Sequence, residues 1–365
     1  MSCNILPKQN KTMAMISFFS GCGGFDLGFS SAGFSIELAL DVDAVAVNSY
    51  NHNRDKKVCH AADLAKITTE DIVQLYEKNC GNGMPVGIIG GAPCQTFSNG
   101  NVHFNNDDAR HLLPRRYAYM LGVLNKRYNF DFFIFENVKG ITSPKHRREY
   151  TIIKMLFSRA GFKLFEGELD AADFGVAQHR RRVFIVGFNK VKYPGLKFKF
   201  PEAETSVPLT VASKLRGLPE PLFFRRGTQK DDISFHPNHW TMYPRSRKFT
   251  DGSLDRDRKQ GRSFRVLQWE KPSPAVAYGN REIHIHPDAQ RRLSVYEAML
   301  LQGFPQDYEL LGTLSDQIRQ VSDAIPPQVG AALGKAIFDT LHPGKPERGR
   351  SSIISCCSLL GTRQP

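Results

Sequence analysis

From Met15 to Phe188 short apolar runs alternate with amphipathic stretches, in the order "MISFF", "FDLGFSSAGF", "IELALD", "AVAVNSY", "EDIVQLYEK", "VGIIGG", "FFIF", "YTIIKMLFSRAGF" and "VFIVGF". Strand-like and helix-like periods that take turns in this way predict an α/β fold, a mostly parallel sheet covered by helices. Ligands of such sheets bind beyond the carboxyl ends of the strands. Near Asn189 the texture changes, and up to about Asn280 prolines, aromatics and basic residues replace the periodic pattern, which reads as a second, smaller and loop-rich domain. Helical periodicity returns in "LSVYEAMLLQGF" and "PPQVGAALGKAIFDTLH", where Pro326 and Pro327 suit the start of a helix. The expected division is therefore 1–188, 189–280, and a segment 281–342 whose last helix packs back on the first domain. Residues 343–365 are basic and serine-rich and read as a loosely ordered tail.

Charge narrows the class of partner. The chain has 365 residues, and 49 Lys and Arg against 36 Asp and Glu leave a formal charge of +13, which suits a polyanion. The basic residues cluster in "KHRRE", "QHRRRV", "FFRRGTQK" and "YPRSRKFTDGSLDRDRKQGRSFR", with Trp240, Tyr243 and Phe249 interleaved, a pattern that favours nucleic acid over an even solubility charge. Seven cysteines (Cys3, Cys22, Cys59, Cys80, Cys94, Cys356 and Cys357) make an odd count without a CxxC pair, so neither a disulfide framework nor a zinc site is indicated and a reducing compartment fits. The first residues lack the apolar centre of a signal peptide and no run of eighteen apolar residues occurs, so a cytoplasmic protein with no membrane partner is expected.

Several short stretches carry chemistry. "SFFSGCGGFDLGF" is a glycine-rich turn feeding a helix, where missing side chains let backbone approach a ligand. Asp26 stands where the dinucleotide fingerprint needs glycine, so NAD loses ground. A nucleoside-like ligand stays open, because Asp41 ends the second strand, where an acid accepts from ribose hydroxyls, and Asp63 after the third could accept from an adenine amino group. Each acid taken singly is more often a cap or a solvated group. Cys94 follows the fourth strand behind Pro93 and among Gln95, Thr96, Ser98 and Asn99, neighbours that suit a site more than a core. Glu136 follows "FFIF", where desolvation would raise its pKa. Gln178, Arg180 and Arg182 alternate, so an extended chain sets them on one face, and buried arginines need acids, phosphates or a base as partners. His236, His239, His284 and His286 raise a metal hypothesis that no second ligand cluster supports.

The stretches "SFFSGCGGFDLGF", "APCQTFS", "ENV", "QHRRRVFIVG", "RRLSVYEAMLLQGFP" and "SDAIPPQVG" follow one another as in the cytosine-C5 DNA methyltransferases that use S-adenosylmethionine, and the chain resembles that family over residues 15–340. The resemblance implies a Rossmann-like catalytic domain and makes 189–280 a target recognition domain. It implies that Phe19, Gly21, Cys22, Gly23 and Gly24 line the methionine end of the cofactor pocket, that Asp41 binds ribose, and that Asp63 and Leu64 meet adenine. Cys94 would be the nucleophile, Glu136 the partner of cytosine N3, Arg182 a donor to O2, and Arg180 a support for the acid or a nearby phosphate. The substrate would be a cytosine flipped out of double-stranded DNA, and the chain a prokaryotic, monomeric enzyme of a restriction-modification system with a cognate endonuclease. Four positions depart from the family pattern: Asp41 replaces a longer Glu, Gly87 replaces an Asp, and Ser322-Asp323 replaces Gly-Asn. An RNA (tRNA) cytosine methyltransferase and a catalytically silent DNA-binding relative are the alternatives.

Overall fold

The computed structural model describes residues 13–80, 83–93, 112–204, 207–228, 230–251, 253–254, 264–275 and 284–343. The apolar strand β1 (Met13–Phe18) lies inside a seven-stranded sheet, between β2 (Phe34–Asp41) and β4 (Gly87–Gly91). Beyond β2 comes β3 (Cys59–Ala61); beyond β4 come β5 (Phe132–Val138), β8 (Arg181–Asn189) and the edge strand β6 (Phe162–Asp170). The pairs β1/β2, β1/β4, β2/β3 and β4/β5 are parallel, whereas β8 is antiparallel to both β5 and β6. The chain works outward from β1 first to one side and then to the other. The crevice at this reversal, past Phe18 and Gly91, is where a ligand fits.

Helices cover both faces because each buries one apolar stripe. On one face α3 (Thr69–Cys80), α4 (Leu113–Tyr128) and α5 (Arg147–Arg159) pack Ile72, Tyr117, Leu121 and Phe157 onto the sheet. On the other, α1 (Gly24–Ser31), α2 (Ala44–His52) and α9 (Pro327–Leu341) contribute Phe25, Phe29, Val47, Leu333 and Ile337. Sequence reading missed α4, since Pro114 and the charges of "LPRRYAYMLGVLNKRY" mask its period; the proline sits in the first turn, where it costs no hydrogen bond. It also missed β6, whose exposed Lys163 and Glu168 fit an edge strand.

A third core joins Leu215 of α6 (Ala212–Leu215), Trp240 of β10 (Trp240–Met242), which pairs with β9 (Leu222–Phe224), Met299 of α7 (Val295–Leu301) and Ile318 of α8 (Leu314–Asp323) with Val211, Leu267, Leu293 and Leu310 from the connecting segments. Cys22 of the glycine turn belongs to this core too. The two helical stretches near the end of the chain therefore part ways: α7 and α8 stay with the third core, and α9 packs against α1. Ser294 and Thr313 start α7 and α8 with capping boxes, which fixes both helix starts.

Contact between α1 and α9 leaves no room for a side chain at Gly28, where an added Cβ would lie 2.1 Å from the Pro327 carbonyl and 2.6 Å from the Ala331 nitrogen. Gly28→Ala should therefore lower stability by about 1–3 kcal/mol, the usual cost of overpacking. Urea unfolding of the two proteins checks this, and an unchanged midpoint would contradict the packing described.

Candidate active site and cofactor pocket

After β1 the chain turns through Phe19 (φ 55°), Gly21 (φ 53°) and Gly23 (φ 90°), left-handed conformations that suit glycine. A Cβ on Gly23 would meet the Tyr50 ring at 2.7 Å, and one on Gly24 the Ile325 carbonyl at 2.5 Å. The turn is locked to the end of β2, for the Gly21 N–H donates to Asp41 Oδ2 at 2.7 Å and the Asp43 N–H to Asp41 Oδ1 at 2.9 Å. Burial pushes the Asp41 carboxyl above its usual value, against those two donors. Tyr308 clamps the turn from the third core by donating its hydroxyl to the Cys22 carbonyl. The Cys22 thiol itself is buried, which pushes its pKa up to about 12, so this residue offers the pocket its backbone rather than a thiolate.

Asp26 underlies the turn. It is 1% exposed, and its carboxylate accepts from Ser17 Oγ at 2.7 Å and Tyr50 Oη at 2.9 Å. Past β3, Asp63 accepts from the Ala65 N–H at 3.0 Å and pairs with Lys66 at 3.3 Å, a local turn cap that leaves its outer face at the surface. Leu64 buries its side chain in the core, and its carbonyl takes Arg116 Nε at 3.3 Å. Sequence reading passed over Val42, a valine that is 68% exposed directly after Asp41. A glycine turn, a carboxylate for hydroxyls and a bare apolar side chain along one edge fit a nucleoside carrying an amino-acid tail.

Ser322 and Asp323 end α8 beside this pocket. The Ser322 carbonyl accepts from Arg180 Nη2 at 2.7 Å. Asp323 keeps surface open to water but sits in a recess where desolvation raises its pKa, Arg180 opposing and Asp41 adding to the rise. The other departure, Gly87, is steric: a Cβ there would lie 2.8 Å from the Phe132 carbonyl and 3.0 Å from its ring.

Glu136 lies within β5, not after it, and faces Gly91 of β4, where a Cβ would meet Glu136 Oε2 at 2.4 Å. The antiparallel register pairs Glu136 with Phe184 and Val138 with Arg182, which sets Arg182 diagonally across from the acid. Arg182 Nε reaches Glu136 Oε1 at 2.9 Å. Burial pushes the Glu136 carboxyl upward, and Arg182 and Arg180 pull it part of the way back. Gln178, in the two-residue strand β7 (Gln178–His179), and Arg180 are buried, while His179 and Arg181, each following one of them, face outward onto Asp170. Asn137, which sequence reading did not single out, is 1% exposed and donates to the Ala92 carbonyl at 3.2 Å, so β5 steadies the exit from β4 that leads to Pro93 and Cys94. Cys94 itself lies outside the described residues.

The four histidines of the metal hypothesis are buried within the fold. His239 bridges Ser294 Oγ (2.9 Å) and the Pro219 carbonyl (2.7 Å), His236 stacks on Tyr296, and burial lowers the His284 pKa to about 4. The described residues hold no cluster suited to a metal ion, and none of their helices is long and apolar enough to cross a membrane. Of the aromatics in the basic segment, Trp240 and Phe249 are buried, Trp240 donating to Gln317 at 2.7 Å, whereas Tyr243 is exposed with the Arg225 guanidinium over its ring. Lys and Arg at 255–263 lie outside the described residues.

Sheet order, glycine turn and strand-end acid together define an α/β methyltransferase fold that binds a nucleoside cofactor. The solved structure of a DNA modification methyltransferase encoded within an E. coli prophage superposes with a TM-score of 0.72 at 23% identity, over 90% of this chain and 99% of that one. The Type II methyltransferases M.NmeDI of Neisseria meningitidis serogroup C and M.FnuDI of Fusobacterium nucleatum are each 30% identical to it, over 89% and 90% of this chain and 84% and 95% of their own. Residues 13–339 match the C-5 cytosine-specific DNA methylase family, and the chain belongs to it. It is a DNA (cytosine-5) methyltransferase that takes its methyl group from S-adenosylmethionine.

Burial moves the Asp26 carboxyl from 3.8 to about 6. Its proton is held more tightly in the folded chain, so its contribution to stability is complete below pH 3.8 and is lost as pH rises through about 6. Asp26→Asn removes that dependence. Unfolding of both proteins from pH 4 to 7.5 should show the difference shifting toward the variant by up to about 3 kcal/mol, then levelling, at about 1.4 kcal/mol per pH unit. A difference that stays constant over this range would refute the assignment.

Proposed function

We propose that this chain methylates C5 of a cytosine swung out of duplex DNA through a transient bond from Cys94 to C6. The observation that carries the reading is the Glu136–Arg182 pair, 2.9 Å long, at the carboxyl edge of the sheet next to the end of β4. Cytosine C5 is too weak a nucleophile to be alkylated unaided. Addition of the Cys94 thiolate at C6, with Glu136 giving a proton or hydrogen bond to N3, makes C5 enamine-like. A carboxyl raised by burial holds a proton more tightly than a free one, which favours this step, and Arg182 is suited to donating to O2 where charge builds up. Bound S-adenosylmethionine supplies an electrophilic methyl group. Phe19, Gly21, Cys22, Gly23 and Gly24 would hold its methionine end, Asp41 its ribose, and Asp63, Leu64 and the bare Val42 its adenine. A base then removes the C5 proton and Cys94 leaves, restoring aromaticity.

The reacting face of a stacked cytosine is shielded, so the nucleotide must leave the helix at a cost of a few kcal/mol. The exposed Arg225 and Tyr243, with the basic run that follows, support residues 189–280 as the region that grips and reads DNA in return. We infer that a restriction endonuclease cutting the same sequence is the partner, in a prokaryotic cell.

Cys94→Ser should abolish methyl incorporation into duplex DNA while leaving the protein folded and able to bind S-adenosylmethionine. Duplex DNA carrying 5-fluorocytosine should trap the unaltered protein as an adduct that survives denaturation, and should not trap the variant. Methylation by the variant would overturn the covalent route, and methylation of tRNA instead of duplex DNA would overturn the substrate.

A further inference from the structure

We propose that a basic recess between the heads of α4 and α5 is a second anchoring site, one that takes backbone phosphates of the DNA substrate independently of sequence. It has a volume of about 500 Å³ and is lined by Arg115, Lys145, His146, Arg148, Glu149 and Ile152. Three permanent cations thus face one carboxylate. Arg115 Nε donates to Glu149 Oε1 at 2.7 Å, so that carboxylate orients Arg115, and the side chains of Lys145 and Arg148 are both exposed at the recess.

Position is what separates this recess from a solubility charge. In a parallel α/β sheet the helices run back from the carboxyl edge, so the heads of α4 and α5 lie at the edge that carries Glu136. Only residues 139–146, folded as two tight helical turns, separate the end of β5 from the start of α5, so the recess is tied directly to the strand that bears the acid. The cations also stand at the wrong end of α5 for the helix itself. Arg147 and Arg148 open it and Lys145 and His146 precede it, where the positive end of the helix dipole repels them. An anion entering the recess relieves that repulsion as well as pairing with the side chains. Built on helix ends rather than a long loop, the site needs little ordering on contact, and with no route to base edges it adds affinity without selectivity.

The inference rests on DNA as the substrate and not on the covalent step, so its test reads binding. The full-length variants K145Q/R148Q and K126Q/K197Q lose the same charge, the second pair at the far end of α4 and beyond β8. Fluorescence anisotropy of labelled duplex DNA between 50 and 300 mM salt, with S-adenosylmethionine binding as a control for folding, gives the affinity and its salt slope. K145Q/R148Q should weaken DNA binding about tenfold or more and flatten the log–log salt slope by about 0.9 per lost phosphate contact. It should raise KM for DNA, leave kcat and S-adenosylmethionine affinity unchanged, and be restored by K145R/R148K. An unchanged slope, or an equal loss in K126Q/K197Q, would overturn the site and leave only general charge. A fall in kcat with binding intact would overturn it in favour of a role in positioning Glu136.

Discussion

A carboxyl group placed inside a β-strand and shut away from water resists losing its proton, and two arginines beside it resist its keeping one. Glu136 sits at that balance because β8 runs antiparallel to β5 in the register that brings Arg182 to 2.9 Å from it, and because Gly91 leaves the space its second oxygen occupies. Neither partner is secure alone. A buried acid without Arg182 would hold its proton more tightly still, and a half-buried Arg182 without the acid would be an uncompensated charge. The sheet fixes their relative position through backbone hydrogen bonds, so the pair needs little reorganisation when a base arrives.

The cofactor pocket is tied to that pair through shared parts. The glycine turn leaves β1, the strand at which the sheet reverses direction, and is held from below by Asp26 and Tyr50, from the side by Asp41, and from the third core by Tyr308. Arg180, directly before the strand that carries Arg182, reaches the end of α8 at Ser322, next to Asp323 and the Asp41 pocket. Cofactor site, acid and third core therefore meet around a few residues, and a shift in α8 is felt at both the turn and Arg180. The Ser322-Asp323 departure falls at this junction, where the contact to Arg180 is made by a backbone carbonyl and so does not depend on which side chain stands there.

Much of this was legible in the sequence because it is local. Periodicity set out β1, β2, β4, β5 and β8 and their helices, and the alternation in "QHRRR" placed Gln178 and Arg180 on a buried face. What depends on distant partners was not legible. No local pattern says that β8 enters between β5 and β6, and so none says that Arg182 pairs with Glu136. Asn137 looks like any polar residue until its amide is seen on Ala92. Trp240 and Phe249 looked fit to meet bases because they sit among arginines, but Trp240 is buried in the third core and Phe249 in a small separate cluster with Leu254, Val266 and Ile285. Leu64 puts its side chain into the core, a placement that its neighbours in sequence do not signal.

Glu136→Gln tests the central claim most directly, since it keeps shape and hydrogen-bonding reach while removing the ionisable carboxyl. Single-turnover methylation of duplex DNA, measured from pH 5 to 9 with DNA and S-adenosylmethionine affinities determined alongside, should fall about 100-fold or more. The unaltered protein should lose activity on the alkaline side as a carboxyl raised by burial gives up its proton, and the variant should lack that limb. A variant within twofold of the original rate at every pH would contradict the account.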